Sequence, residues 1–539
     1  MLAAGQSHTL TSLYGYLPRD TDTVQSVVDR VLAFGTPGIA AFNASSAAWI
    51  GSLSVVLDVP SVGAWVARET AWHSYTLRAL LSYDTYRQRF NVNQNGEYQN
   101  TYLRPGGRPP EIGGFNGASR DSLAHVIPFI YGPPAGLVAV KDTVKFWLQT
   151  QLDSGMIAWG QAGYGVDWRG WTSSSPWLGH VCSDLPYWPL LTAAEYVLAT
   201  RDAAFFSEPV ARNATGGGSI APEPVITLLL RAFDALFDAK SGNGVGLGEH
   251  GLLRILGADH NDGFYGATGQ AYFSTLGLVI NATGESVMSS ATAAFVLCRF
   301  AARSFHVSTQ RSTPLWPSHS CRFADALQFA GSSNEGRVRA ACFQQRAAVA
   351  AATGGAAFVP RAWLGADPAL GWFGVDSPTP DSGGLVRAMW MEPQAWAVLA
   401  GAVNGSAADA VIERVQTRLC DTSPIGCQNV DGCYGESSCT YSCVAHFSNW
   451  PLIWALGFTG RVDAAMDAWV KNSMSTRAAV YPNYTYGVVS AAAVDMDYLQ
   501  VWLLFRRHLE RRQAAQTAGM ASFTTPLATS LALPTIRRT

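Results

Sequence analysis

The chain has 539 residues, 48% of them hydrophobic and 14% charged, with a formal net charge of -2. This composition excludes a disordered polymer and gives no electrostatic basis for binding nucleic acid or an anionic membrane. No window approaches a transmembrane run, so the sequence reads as a soluble globular protein with one large core or several domains.

Residues 1–60 mix short apolar runs with turns, as in LTSLYGYLP and SLSVVLDVP, and the first residues lack the charged and apolar segments of a signal peptide. Residues 61–90 are apolar and aromatic at helical spacing. A Gly/Pro-rich run, RPGGRPPEIGGFNG, then ends at Ala118-Ser119-Arg120-Asp121. Asp121 in a first helical turn suits the helix dipole, whatever else it does. Helical segments follow near 137–152 and 184–202, and Asp184 stands where an N-cap belongs. Between them WGQAGYGVDWRGWTSSSPWLGH sets several Trp in a loop, where their faces could stack on sugar rings. Core packing accounts for most of the 18 Trp.

Residues 222–240 form a clear amphipathic pattern, with Val225, Leu228, Leu229, Ala232 and Leu236 on one face. It leads into GNGVGLGEHGLLRILGADHNDGFYG, Gly242 to Gly266, which reads as a loop built around a site. Its Asp259, His260, Asn261 and Asp262 could form backbone-bonded turns, or a carboxylate there could serve as a general acid if burial raised its pKa. Further helices are readable near 287–304, 336–352, 392–402 and 406–419. Long paired helices joined by loops, with no run of alternating strands, indicate an α/α toroid.

Five of the nine cysteines, Cys420, Cys427, Cys433, Cys439 and Cys443, crowd one Gly/Ser/Asp-rich stretch that reads as a disulfide-stapled loop. A zinc site is the weaker reading, with no CxxC pair and only His446 nearby, so no metal is expected. Sequons at Asn43, Asn213, Asn281, Asn404 and Asn483 join the cysteines in pointing to the secretory pathway, with a cytoplasmic protein as the alternative. Residues 512–539 read as a polar, Pro-containing tail.

Several of these segments together resemble glycoside hydrolase family 94, the cellobiose and chitobiose phosphorylases, which share the catalytic domain of the glycosyl hydrolase 36 superfamily. HGLLRILGADHNDG is similar to the family's HGLP...GxGDWNDG loop, ASRD to GFRDxxxD, SDLPYWPLLTAAEYVLATRD to SDDxLWLPxxxxxYxxxTGD, EPQAWAVLAG to NPQxWAVLSG, and His446-Phe447-Ser448-Asn449-Trp450 to HPNPW. The resemblance, to a divergent member, implies a mainly α (α/α)6 toroid over 61–511. Residues 1–60 would be a remnant of an N-terminal β-sandwich with its linker, and 512–539 a tail. It implies Asp262 as catalytic acid, Arg120, Asp121, Asp184, His260 and Glu436 as substrate-binding residues, and His446 as a phosphate ligand.

Four departures matter. His125 replaces the second Asp of GFRDxxxD, His260 replaces the family's Trp, and the subsite Lys beside Glu436 is lost. The largest departure is AAAVDMDYLQVW, where the phosphorylases have the LTGTASW segment that holds phosphate, so that Asp497 and Tyr498 take the places of Thr and Gly. The resemblance thus implies cleavage of a β-linked di- or oligosaccharide with inversion, by phosphorolysis to a sugar 1-phosphate. Inorganic phosphate would be the co-substrate, with no other cofactor. The alternatives are an inverting hydrolase with Asp497 or Asp495 as base, and a non-catalytic sugar-binding relative. The phosphorylases are often homodimers, which leaves a homodimer open here.

Overall fold

Apolar residues that recur every three or four positions give the chain its dominant element, and the protein is mainly helical, with a few small sheets. The computed structural model describes residues 23–26, 28–29, 38–51, 56–58, 61–79, 81–84, 88–92, 115–132, 134–158, 160–162, 182–212, 219–237, 244–256, 283–297, 322–363, 371–373, 389–430, 446–480 and 535–537. Asp262, His260, Glu436, Asp495 and Asp497 lie outside these residues, as do Tyr498 and the Trp-rich stretch 163–180.

Two kinds of helix alternate along the chain. The first kind is buried on every side: α3 (Ser119–His125), α7 (Val287–Leu297) and α10 (Met391–Leu399) throughout, α5 (Tyr187–Thr200) for its first eleven residues. The second kind buries one face: α4 (Pro134–Leu148), α6 (Val225–Phe237), α9 (Glu335–Thr353), α11 (Gly405–Val415) and α13 (Val462–Asn472). A helix that is apolar all round needs neighbours on every side, whereas an amphipathic one can face water. Each fully buried helix therefore carries a one-faced helix as its next or near-next neighbour in the chain, and α12 (His446–Phe458), buried from Asn449 to Leu456, is followed by α13 in the same way.

The buried helices run parallel, as their cross-contacts show. Arg120 at the start of α3 reaches Asp184 just before α5, and one turn further on the Thr192 hydroxyl donates to the Leu123 carbonyl at 2.7 Å. Trp188 neighbours Trp450, Trp450 meets Trp396 edge-on with centroids 5.1 Å apart, and Phe295 meets Trp454 at 4.7 Å. At the far ends, Arg322 of α8 (Arg322–Phe329) pairs with Glu195 and lies over the Phe295 and Trp454 rings. Among the described residues five tryptophans are essentially fully buried, and each large side chain removed from water contributes about 1.5–3 kcal/mol.

Several details depart from the sequence reading. The segment 61–90 is not one helix: α2 (Trp65–Ala79) stops, and β2 (Leu81–Asp84) pairs antiparallel with β3 (Arg89–Val92). Tyr83 and Phe90 are cross-strand partners with rings 4.9 Å apart, and the Phe90 N–H donates to Asp142 of α4, contacts that a continuing helix could not make. The described part of 1–60 is mostly helical, in α1 (Gly38–Gly51), with one strand, β1 (Val56–Asp58). That strand pairs with Thr535–Arg537 from the stretch read as a patternless tail. No helix among the described residues is long and apolar enough to cross a membrane.

Candidate functional site

Because the buried helices are parallel, their N-terminal ends share one end of the bundle, and polar side chains gather there although the helices continue as apolar. Arg120 and Asp121 stand in the first turn of α3, 5% and 7% exposed. Asp184, with no exposure at all, does not cap α5, whose N-cap is Pro186 with no side-chain cap bond. Its Oδ2 instead accepts from Arg120 Nη1 at 3.1 Å and from the Trp188 indole N–H at 3.3 Å. Asp121 Oδ2 lies 3.8 Å from Arg120 Nε, so one guanidinium sits between two carboxylates. A buried ion pair is sustained only by such added hydrogen bonds, since desolvating two charges costs several kcal/mol per ion. Asp184 also benefits from the positive end of the 14-residue α5.

The helices α7 and α10 bring their starts to the same end. The Val287 N–H donates to the Arg361 carbonyl, and Arg361 Nη1 reaches Met288 Sδ at 3.3 Å while its guanidinium lies 4.8 Å from the Trp390 ring. Glu392 and Gln394, in the first turn of α10, are buried, and Gln394 bonds both the N–H and the carbonyl of Val359. His125, at the end of α3, is fully buried, and burial pushes its pKa down to about 3. It is therefore a neutral imidazole near neutral pH, not a replacement charge for the carboxylate expected at that position.

The loop Gly242–Gly266 is described as far as Leu256. β4 (Leu253–Arg254) pairs with β5 (Glu285–Ser286), and Cys182 bridges to Leu256, which places the end of the described loop two residues from Asp184. Leu256 has a φ of 56°, an uncommon conformation for a side chain of its size and a form of backbone strain often found near functional loops. Earlier in the loop, the His250 and Leu252 N–H groups donate to the fully buried Glu285, which also accepts from His250 Nδ1 at 3.0 Å. His250 in turn packs against the Trp363 and Trp372 rings. Gly248 permits this, because a Cβ there would lie 2.2 Å from Glu285 Cδ.

The structure thus brings together Arg120, Asp121 and Asp184, and Asp262 lies outside the described residues, which end at Leu256 in that loop. It places the His446 backbone at the start of α12. Sequence reasoning missed Glu392, Asn429 and Asn449 as occupants of this end. The EPQAW and SNW segments carried two of them in view, but nothing local distinguished them from helix-start polar residues. Among the described residues no group of three or more metal-ligating side chains occurs. An aromatic cavity enclosed by Ala124, Ile127, Trp188, Leu191, Glu195, Trp450 and Trp454 has room for about one water and belongs to the core.

No family model matches the chain, and no curated protein is similar enough in sequence to be matched with it.

Proposed function

We propose that the chain is a carbohydrate-active enzyme of the (α/α)6 toroid type that cleaves β-linked di- or oligosaccharides with inversion, by phosphorolysis to a sugar 1-phosphate. The observation that carries this reading is the convergence of segments distant in sequence. ASRD at α3, SDLPYW at α5, HGLLRIL at β4, EPQAWAVL at α10 and HFSNW at α12 all meet at one end of the parallel buried helices. These are the segments whose wording resembles family 94. The alternation of buried and one-faced helices supports the toroid, and so does the packing of α2 against the last described helix.

In this reading Asp262 protonates the leaving glycosidic oxygen, and phosphate held by His446 attacks the anomeric carbon from the opposite face. Arg120, Asp121, Asp184, His260 and Glu436 hold the sugar, and no metal or organic cofactor takes part. An inverting hydrolase is the second reading, favoured by AAAVDMDYLQVW. Asp497 in place of the phosphate-holding Thr would repel a phosphate dianion at about 4 Å by roughly 8 kcal/mol at an effective dielectric near 20, about 4 for each phosphate charge. Asp497 or Asp495 would then activate water across the ring. The bonded Cys420–Cys427 pair and the exposed sequon residues Asn43 and Asn404 support a secretory setting.

The test is incubation with a panel of β-linked gluco- and N-acetylglucosamine oligosaccharides, with and without phosphate, followed by anomer-resolved NMR. An α-sugar 1-phosphate formed only with phosphate is the expected product, and free α-sugar formed without phosphate would select the hydrolase. Asp262→Asn should abolish turnover in either case, and a variant that turns over normally removes both enzyme readings.

A further inference from the structure

We propose that Asn429 is a substrate-binding residue whose amide hydrogen-bonds adjacent hydroxyls of the pyranose held at the shared helix end; this rests on the proposed function. The backbone around it is fixed from several directions. The Cys420–Cys427 disulfide closes the preceding turn, and the Gln428 N–H donates to the Leu419 carbonyl at 2.8 Å. Asn449 of α12 clamps Cys427, accepting from its N–H at 2.9 Å and donating to its carbonyl at 3.0 Å. The Asn429 carbonyl itself accepts from Met391 N at 3.0 Å, the first N–H of α10, and Val430 bridges to Trp390. These contacts hold Asn429 between the starts of α10 and α12.

The side chain so carefully placed is 1% exposed, and neither its Oδ1 nor its Nδ2 has a hydrogen-bond partner among the described residues. A primary amide can donate two hydrogen bonds and accept two, and each buried group left unmade is a substantial cost, which a leucine of similar volume would avoid. Asn449, close by in the fold, satisfies both ends of its amide, so the surroundings can pair an asparagine fully. Retention of an unpaired amide at Asn429 points to a partner that arrives with the ligand. A neutral donor and acceptor side by side suit a pair of neutral hydroxyls; a phosphate dianion would be repelled by the amide oxygen.

The experiment compares the full-length wild type with Asn429→Leu in two measurements: thermal unfolding without sugar, and calorimetric titration with the same oligosaccharide panel and, separately, with inorganic phosphate. The expected result is an unfolding midpoint unchanged or raised in Asn429→Leu, glycan affinity weakened about 10-fold or more, and phosphate affinity unaltered. A lowered midpoint with unchanged glycan affinity would assign Asn429 a structural role and overturn the inference alone. If the wild type binds no member of the panel, the proposed function fails, and the assignment of a glycan to Asn429 fails with it.

Discussion

Arg120 and Asp184 are 64 positions apart, and nothing in the sequence around either says that they touch. Each has a sufficient local explanation, a first-turn charge and a helix cap. The structure gives Asp184 a different partner because α3 and α5 lie side by side and parallel. Removing one member leaves the other charged, buried and uncompensated, which typically costs 3–5 kcal/mol. Asp184→Leu and Arg120→Met should each destabilise by about that amount in urea unfolding, and the double variant by clearly less than their sum. Strict additivity would show that the pair does not interact. Gly248 makes a parallel point, since its need for hydrogen in place of a Cβ comes from Glu285, 37 positions later. Gly248→Ala should displace that carboxylate and destabilise by about 1–3 kcal/mol in the same assay.

At the scale of elements, α2 is joined to the last described helices of the bundle. Glu69 of α2 accepts from the Met474 and Ser475 N–H groups at the start of α14 (Met474–Val480) and from the Ser475 hydroxyl, and Trp65 stacks on Trp469 of α13 at 5.7 Å. Burial pushes the Glu69 carboxyl up, but hydrogen bonds and the charge of His73, with those of Ser475 and Met474, outweigh it, so its pKa is lowered below 4.5. A lowered carboxyl pKa means that the folded state holds the proton less tightly than the unfolded one. The contribution is therefore fully present above pH 4.5 and lost as pH falls through the lower folded value. Glu69→Ala should cost about 2–3 kcal/mol at pH 7 by denaturant unfolding, and the difference from wild type should shrink below about pH 4. A difference that stays constant from pH 7 to pH 3 would mean that the carboxylate charge does not contribute. The helical periodicity of 61–79 was readable in the sequence. The contact that ties it to 474–475 was not, because the partners are more than 400 residues apart.

For the whole molecule, the covalent constraint visible in the sequence was the cysteine cluster, and among the described residues one of its pairs, Cys420–Cys427, is bonded. Closing so short a loop stabilises the folded state by about 2–3 kcal/mol in the chain-entropy view. Reduction, or Cys427→Ser, should lower the unfolding midpoint accordingly and loosen the turn that carries Asn429; an unchanged midpoint would show that the Asn449 clamp alone holds it. The sequence by itself determined the mainly helical class, the amphipathic face of α6, and the polar motifs at the starts of α3, α5, α10 and α12. These are local properties, set by side-chain spacing and by backbone groups within a few residues of one another. Only the tertiary structure decided that the starts of the buried helices share one end, that Asp184 pairs with Arg120 and does not cap α5, and that His125 is a buried neutral ring. Those outcomes depend on which helix packs beside which, and on the water removed when they meet, neither of which is written in any single segment.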